Sequence, residues 1–427
     1  MSAVLTQLDF DVRLVRDDLA LAALRDDWNE LAGSVPFRRC EWLATWWRHF
    51  RQPSDELLVP LVYDADGQMI GLAPWYIARD RWLGRVVRFL GSGKVCSEYV
   101  TVLAAAGAEE FVAQRLAEWL ATEAAGRWDA LDFDGVEADD RALSELVGEL
   151  VRTGHPLFQR IREQTWRVRL AATWNEFLGQ LSKGRRAKVR AHERRLDNAN
   201  VSVCIADDRA TLRQGLDIFH RLHQARRETM GDDGCLSLPG FDAFLRETAM
   251  EFLEAGSLRL QWVEVAGQPA AVEFDLLGDE TLYYYQTGMN PELAEISPGW
   301  LLQVASLKRA IDDGLAWFDF LRGDEAYKAS WGAEPRQLVQ ICVASRRPLP
   351  RLRHGAWRTA ADVKNRWLQS GGWGRSWPHS ALSVLSGASG QRCPGGIATG
   401  ASPRQGLLAK LAIRARLCLS HQGNTEA

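Results

Sequence analysis

The sequence predicts an α/β chain built from two similar units in tandem, followed by a basic tail. Three observations point there. At roughly 150 residues per domain, a chain of 427 residues has room for two or three domains. Helical and strand periodicities alternate along the first 345 residues. Both halves also run through the same order: helices, antiparallel strands, a helix, a strand. Each unit is therefore expected to hold a mixed, mostly antiparallel sheet flanked by helices, with boundaries at 1–170, 171–346 and 347–427.

In the first half, the apolar spacing predicts helices over 17–31 and 41–50, the latter placing Trp42, Trp46 and Trp47 on one face. Residues 57–63 read as a strand. Asp-Ala-Asp-Gly at 64–67 then turns the chain into a second apolar run, 69–77. Strands are expected at 86–90 and 99–103, a helix at 111–125, a short buried strand at 130–133 and a helix at 141–151. The second half predicts helices over 174–181 and 183–198, a strand at 201–205, and helices over 212–229 and 241–254. Three strands come next, 258–265, 268–277 and 280–287, joined by Gly-Gln and Gly-Asp turns. A helix at 298–313 and strands at 316–321 and 337–344 complete the unit. Trp128-Asp-Ala-Leu-Asp-Phe133 in the first half echoes Trp317-Phe-Asp-Phe320 in the second.

Composition excludes more than it assigns. Hydrophobic residues make up 46% and charged residues 25%, the balance of a globular chain and not of a disordered or fibrous one. The net charge of −3 gives no global positive field for nucleic acid or anionic lipid. The charge is uneven, however. Residues 351–427 hold eleven Lys/Arg and two Asp/Glu, a net +9, which leaves −12 on the rest. This Gly/Ser-rich tail is expected to be poorly ordered, with short helical pieces at 357–368 and 406–418. Seven widely spaced cysteines hold no CxxC motif, and their odd number argues against a disulfide framework. No basic leader precedes an apolar run at the amino terminus and no uncharged stretch of about 18 apolar residues occurs, so the expected location is the cytoplasm.

The chemistry concentrates in four places. Ser297-Pro298-Gly299 spells a helix start: Ser297 suits the N-cap, Pro298 the first helical position, and Gly299 leaves the backbone open to close approach. Such an end, with Gly299 and Trp300 offering amides, is either an anion site or an ordinary capped helix, and the spacing alone leaves both open. Second, a buried strand delivers Arg322, Asp324, Glu325, Tyr327 and Lys328 into one turn, enough for a base, an acid and phosphate ligands, or for a solvated polar turn. Third, residues 182–195 carry seven cations and one acid, a solvated helix face or a phosphate-binding one. Fourth, Glu273 and Asp275 share one face of the strand 269–275, opposite Val272 and Phe274. That face is a candidate base beside a ligand or a solvent-facing side. His220 and His223 lack a third ligand nearby, so no metal site is expected.

These residues carry a resemblance. LSKGRRAKVRAHERRL (181–196), GQPAAVEF (267–274), YYYQTGMNPELAEISPGWLL (283–302) and FDFLRGDEAYKASWG (318–332) resemble the GNAT-like acyltransferase domain of CelD/BcsL-type proteins of cellulose and exopolysaccharide biosynthesis. VPFRRCEWLATWWRHF, GLAPWY, RFLGSGK and WDALDF extend the likeness more loosely over the first half. The resemblance implies tandem GNAT-like folds, related to the Fem-type peptidyltransferases that use aminoacyl-tRNA. It implies transfer of an acyl group from acyl-CoA, such as acetyl-CoA, as a co-substrate and not a tightly bound cofactor. The acceptor would be a small molecule or saccharide with an amine or hydroxyl. Glu273 or Asp324 would be the base and Tyr327 the acid, while Ser297, Gly299, Trp300, Arg322 and Lys328 would hold the donor. Two other functions remain open: transfer from aminoacyl-tRNA, and a non-enzymatic scaffold of a polysaccharide-synthesis assembly.

Overall fold

The computed structural model describes residues 12–229, 231 and 234–369, with backbone only for 362–369. The first half comprises β1 (Val12–Val15), α1 (Asp18–Ala23), α2 (Arg25–Ala32), α3 (Cys40–Phe50), β2 (Glu56–Tyr63), β3 (Met69–Leu72), β4 (Trp75–Asp80), β5 (Gly84–Phe89), β6 (Leu103–Ala104), α4 (Glu109–Ala121), β7 (Ala130–Glu137) and α5 (Arg141–Arg152). The second comprises β8 (Leu157–Arg169), α6 (Trp174–Gln180), α7 (Lys183–Leu196), β9 (Val201–Ile205), α8 (Arg209–Thr229), α9 (Phe241–Glu254), β10 (Leu258–Val265), β11 (Gln268–Leu277), β12 (Thr281–Met289), α10 (Pro298–Asp312), β13 (Trp317–Arg322), α11 (Ala326–Ser330), β14 (Glu334–Ala344) and α12 (Pro348–Gln369).

The tandem GNAT-like folds are present. In the first half α4 joins the parallel neighbours β5 and β7; in the second α10 joins the parallel neighbours β12 and β13. The Trp128–Phe133 and Trp317–Phe320 echo falls on these equivalent strands, β7 and β13. The two sheets are not separate, which corrects the expectation of one sheet per unit. Among the described residues the strands form one sheet, ordered β6-β3-β2-β4-β5-β7-β14-β8-β13-β12-β11-β10-β9, with β1 on β2. β14 comes last in the chain yet pairs with β7 of the first half, and β8 pairs with β13 of the second. The halves thus exchange their last strands.

Local sequence explains most elements. Asp17 caps α1 through the Ala20 amide, Asp140 caps α5, and Thr173 with Glu176 forms a capping box on α6. The second run of the predicted hairpin breaks at Pro74, so β2 pairs with β4 at its start and β3 at its end. Residues 99–102 are not a strand. Tyr99 takes a left-handed φ of 63°, which sends its side chain into the second half. Trp42, Trp46 and Trp47 are buried as expected, and Trp42 and Phe37 pack edge-on against Tyr285 and Tyr283 of β12. The first half therefore backs the strand that carries the candidate site.

Of the segment expected as tail, residues 348–369 form α12, whose Trp357 is buried against Leu83, Val86, Ala130 and Cys342. The rest of that segment, including the expected helix at 406–418, lies outside the described residues. Among the described residues no helix is long and apolar enough to cross a membrane.

Candidate functional site

β12 and β13 run together only for three residue pairs, Thr281↔Trp317, Leu282↔Phe318 and Tyr283↔Asp319. Beyond these, β12 continues along β11 out to Met289, while β13 stays on β8, paired from Trp317↔Arg169 to Arg322↔Thr165 with a register shift after Asp319. Leu321 lies in this shift with a left-handed φ of 55°. The strands separate and leave a slot. Phe320 lies between Tyr284, at 6.0 Å between ring centroids, and Tyr327, at 5.9 Å, so the slot has aromatic walls.

Glu273 and Asp275 project from β11 on the side of α10 and are 1% and 0% exposed. Register places Gln261 opposite Glu273 and Tyr284 opposite Asp275. Gln261 Nε2 donates to Glu273 Oε2 at 3.1 Å. Burial pushes the Glu273 carboxyl up to about 7, opposed by the Gln261 hydrogen bond and by the nearby polar groups of Ser306, Asp275 and Tyr284. Burial and the Glu273 charge raise Asp275 well above the usual carboxylate range, with Arg259 opposing. The two carboxyls share one buried face of β11, and the charge of Glu273 disfavours ionisation of Asp275. Burial, with the Glu325 charge, raises the half-buried Tyr327 phenol well above its ordinary value, and the Glu273 charge adds to this. Arg226 of α8 donates to Thr287 Oγ1 at 2.7 Å and favours the ionised forms of both Tyr284 and Tyr327. The Glu273 carboxyl and the Tyr327 phenol are thus near enough for the charge of one to act on the other, and both act on Tyr284.

The rest of the Arg322–Lys328 turn is a brace. Arg322 pairs with Glu98 of the first half, Nη2 to Oε2 at 3.0 Å, and with Glu163 at 3.3 Å. Burial works against its charge, but Glu98 and Glu163 raise its pKa. Lys328 is 2% exposed; its Nζ donates to the carbonyls of Leu321, Arg322 and Gly323 at 3.1, 2.8 and 3.3 Å and reaches Glu325 at 3.0 Å. Both cations read as donor ligands therefore already have partners within the protein. Asp324 is exposed and accepts from Gln164 at 2.6 Å, so of the two candidate bases Glu273 is the one in the buried cluster.

The helix start differs in detail from the capped end that the spacing describes. Pro298 stands at the first helical position as expected, but Ser297 is left-handed and its side chain caps nothing. The Trp300 amide already donates to the Ser297 carbonyl at 2.9 Å. A Cβ on Gly299 would lie 2.4 Å from Met289 Sδ, so Gly299 accommodates Met289 at the end of β12. Trp300 contributes its ring instead: it stacks on His192 at 5.6 Å and lies beneath Lys188, 3.9 Å away, and Arg185, 4.5 Å away.

Gln261, Tyr284 and Ser306 join the cluster although the sequence does not mark them as site residues; Asp275 is already visible beside Glu273 in the alternation of β11. Ser306 has only the weak signal of a hydroxyl on an otherwise apolar helix face, and Gln261 and Tyr284 depend on strand register.

Residues 183–329 match the acetyltransferase (GNAT) domain family. No curated protein matches the sequence. Among solved structures, the chain is similar to FemX, with a TM-score of 0.50 at 13% identity over 70% of this chain and 94% of that one. It is likewise similar to a conserved protein of unknown function from Bacteroides thetaiotaomicron, with a TM-score of 0.50 at 12% identity over 78% and 100% of the two chains. Likenesses at this identity show a shared fold.

Proposed function

We propose that the chain is an acyltransferase that moves an acyl group from acyl-CoA to an amine or hydroxyl, with the reacting thioester held between β12 and β13. The observation that supports this reading is that β12 and β13 pair over three residues only, with the buried Glu273 and Asp275 on the neighbouring strand β11 and Tyr327 packed against Phe320 of β13. The acceptor attacks the thioester carbonyl and its proton passes to Glu273. The carbon–sulfur bond then breaks and the departing thiolate takes the Tyr327 proton. Backbone amides of β12 that have lost β13 as a neighbour supply the dipoles for the carbonyl oxygen. In this reading 171–346 is the catalytic unit and 1–170 supports it, through Phe37, Trp42 and Glu98. The resemblance to CelD/BcsL-type proteins favours a saccharide acceptor in exopolysaccharide or cellulose synthesis in the cytoplasm.

A second reading, transfer from aminoacyl-tRNA, draws on the fold shared with FemX and on the cations of α7. One experiment separates the two. Thiol release from acetyl-CoA is measured against a panel of amino sugars and hydroxylated saccharides, beside aminoacyl transfer from charged tRNA. Acceptor-dependent thiol release supports the proposal. Transfer from charged tRNA alone supports the second reading, and neither activity across the panel would count against both.

A further inference from the structure

The cations on the turn are committed, but Arg185 and Lys188 of α7 are not. They lie one turn apart and both cover the ring of Trp300, at 4.5 and 3.9 Å. Arg185 also lies 5.5 Å from the ring of Trp331. Among the described residues neither cation reaches a carboxylate. The one acid of the helix, Glu193, is occupied by Trp174 Nε1 at 3.0 Å and Lys308 at 3.5 Å. Arg185 Nη1 is enclosed and has no hydrogen-bond partner, a condition that costs free energy unless something satisfies it. Two like charges are thus held over one ring, and nothing among the described residues neutralises them.

They border a cavity of about 520 Å³ lined by Ser182, Gly184, Arg185, Lys188, Ser330 and Gly332, among others. The aromatic floor beside it is rigid. Trp300 lies 5.4 Å from Trp331, and Trp331 Nε1 donates to buried Gln303 at 2.7 Å. His192, beneath Trp300, is held neutral by burial and by Arg195 and Lys188, which lower it to about 4, so it adds no charge under the ring. Ser330 ends α11, the helix that begins at Ala326 and carries Tyr327, so this cavity adjoins the element that supplies the phenol of the slot.

We propose that this cavity, walled by Arg185 and Lys188, is the seat for the diphosphate of a nucleotide-bearing donor. The inference rests on the acyl-transfer reading above and moves the donor's phosphates away from Arg322, Lys328 and the Gly299 amide. The size selects the ligand class: a cavity of about 520 Å³ matches the roughly 300–1,000 Å³ of small-molecule sites, whereas a polynucleotide needs an extended basic track. Phosphate oxygens would give Arg185 the acceptor it lacks and relieve its repulsion with Lys188, while Trp300 keeps both stems in place.

Calorimetry on the full chain tests this with coenzyme A, inorganic pyrophosphate and uncharged tRNA as probes. Arg185→Gln/Lys188→Gln is the test variant, and Arg213→Gln on the exposed face of α8 is the control. Coenzyme A should bind the wild type, pyrophosphate should compete with it, and the double variant should lose at least tenfold in affinity while the control loses none. Arg185 and Lys188 are not core residues, so the double variant should melt like the wild type. Unchanged binding by the double variant, or no binding of coenzyme A and pyrophosphate by the wild type, overturns the inference. So does tight tRNA binding without coenzyme A binding. Acetyl transfer that survives in the double variant with unchanged affinity sinks this seat and leaves the acyl-transfer reading standing. Pyrophosphate binding at Arg185 and Lys188 without acetyl transfer does the reverse.

Discussion

Glu98 and Arg322 stand 224 positions apart in the chain and form a bidentate ion pair beneath the slot, with Glu98 only 1% exposed. The pair ties a loop of the first half to the end of β13. Tyr285 repeats the tie by donating to the Val95 carbonyl at 2.6 Å. Together with the exchange of β8 and β14, this makes the two halves one mechanical unit.

Removing one partner of such a pair leaves an uncompensated buried charge. We predict that Arg322→Ala destabilises by about 3–5 kcal/mol. Calorimetry should show a single transition in the wild type and a single, lower one in the variant. Two independent transitions would contradict the merged sheet.

A third contact between the halves carries a pH dependence. Tyr99 Oη donates to Asp319 Oδ2 at 2.6 Å, and burial pushes the Asp319 carboxyl up to about 7 although this hydrogen bond lowers it. A carboxyl raised on folding binds more protons in the native than in the unfolded chain. Its contribution therefore weakens as pH rises from about 4 to 7, by at most about 1.4 kcal/mol per pH unit. Asp319→Asn should flatten this part of the stability–pH profile. An unchanged slope in denaturant melts at pH 5, 6, 7 and 8 would show that Asp319 is not its source.

Truncation on either side of α12 isolates that helix's contribution. A chain ending at 350 exposes the Trp357 site on Leu83 and Val86 and should lose on the order of 3 kcal/mol, whereas one ending at 369 keeps that contact. Equal melting temperatures for the two would remove any role of α12 in the core.

Much of this architecture is legible locally. The phase of Glu273 and Asp275, the cations of α7, the tryptophan face of α3 and the start of α10 at Pro298 all come from short-range spacing. β8 is hidden because LFQRIREQTWRVR alternates polar residues with few apolar ones. Its polar side chains find partners only across the sheet, as when Arg160 Nε donates to Gln340 at 2.9 Å. The commitment of Arg322 is equally hidden, since nothing in RGDEAYK names Glu98 as its partner. Strand exchange is likewise a choice among distant partners that no local pattern encodes.

Tyr327→Phe removes a proton donor from the slot and leaves the ring against Phe320. We predict that kcat falls by roughly tenfold to a hundredfold while KM for the donor stays within about twofold. A variant with changed KM and unchanged kcat would make Tyr327 a wall of the slot and not an acid.

The most direct measurement is the pH profile of kcat/KM for acetyl transfer by the wild type and by Glu273→Gln. Gln is isosteric and retains an oxygen for Gln261, so donor affinity should survive. The account predicts that the wild-type rate rises with pH through an apparent value near 7, belonging to the Glu273–Asp275 pair. It predicts that Glu273→Gln loses this limb and at least about a hundredfold in rate. A variant that keeps both the rate and the limb would contradict the assignment of the buried pair as the base.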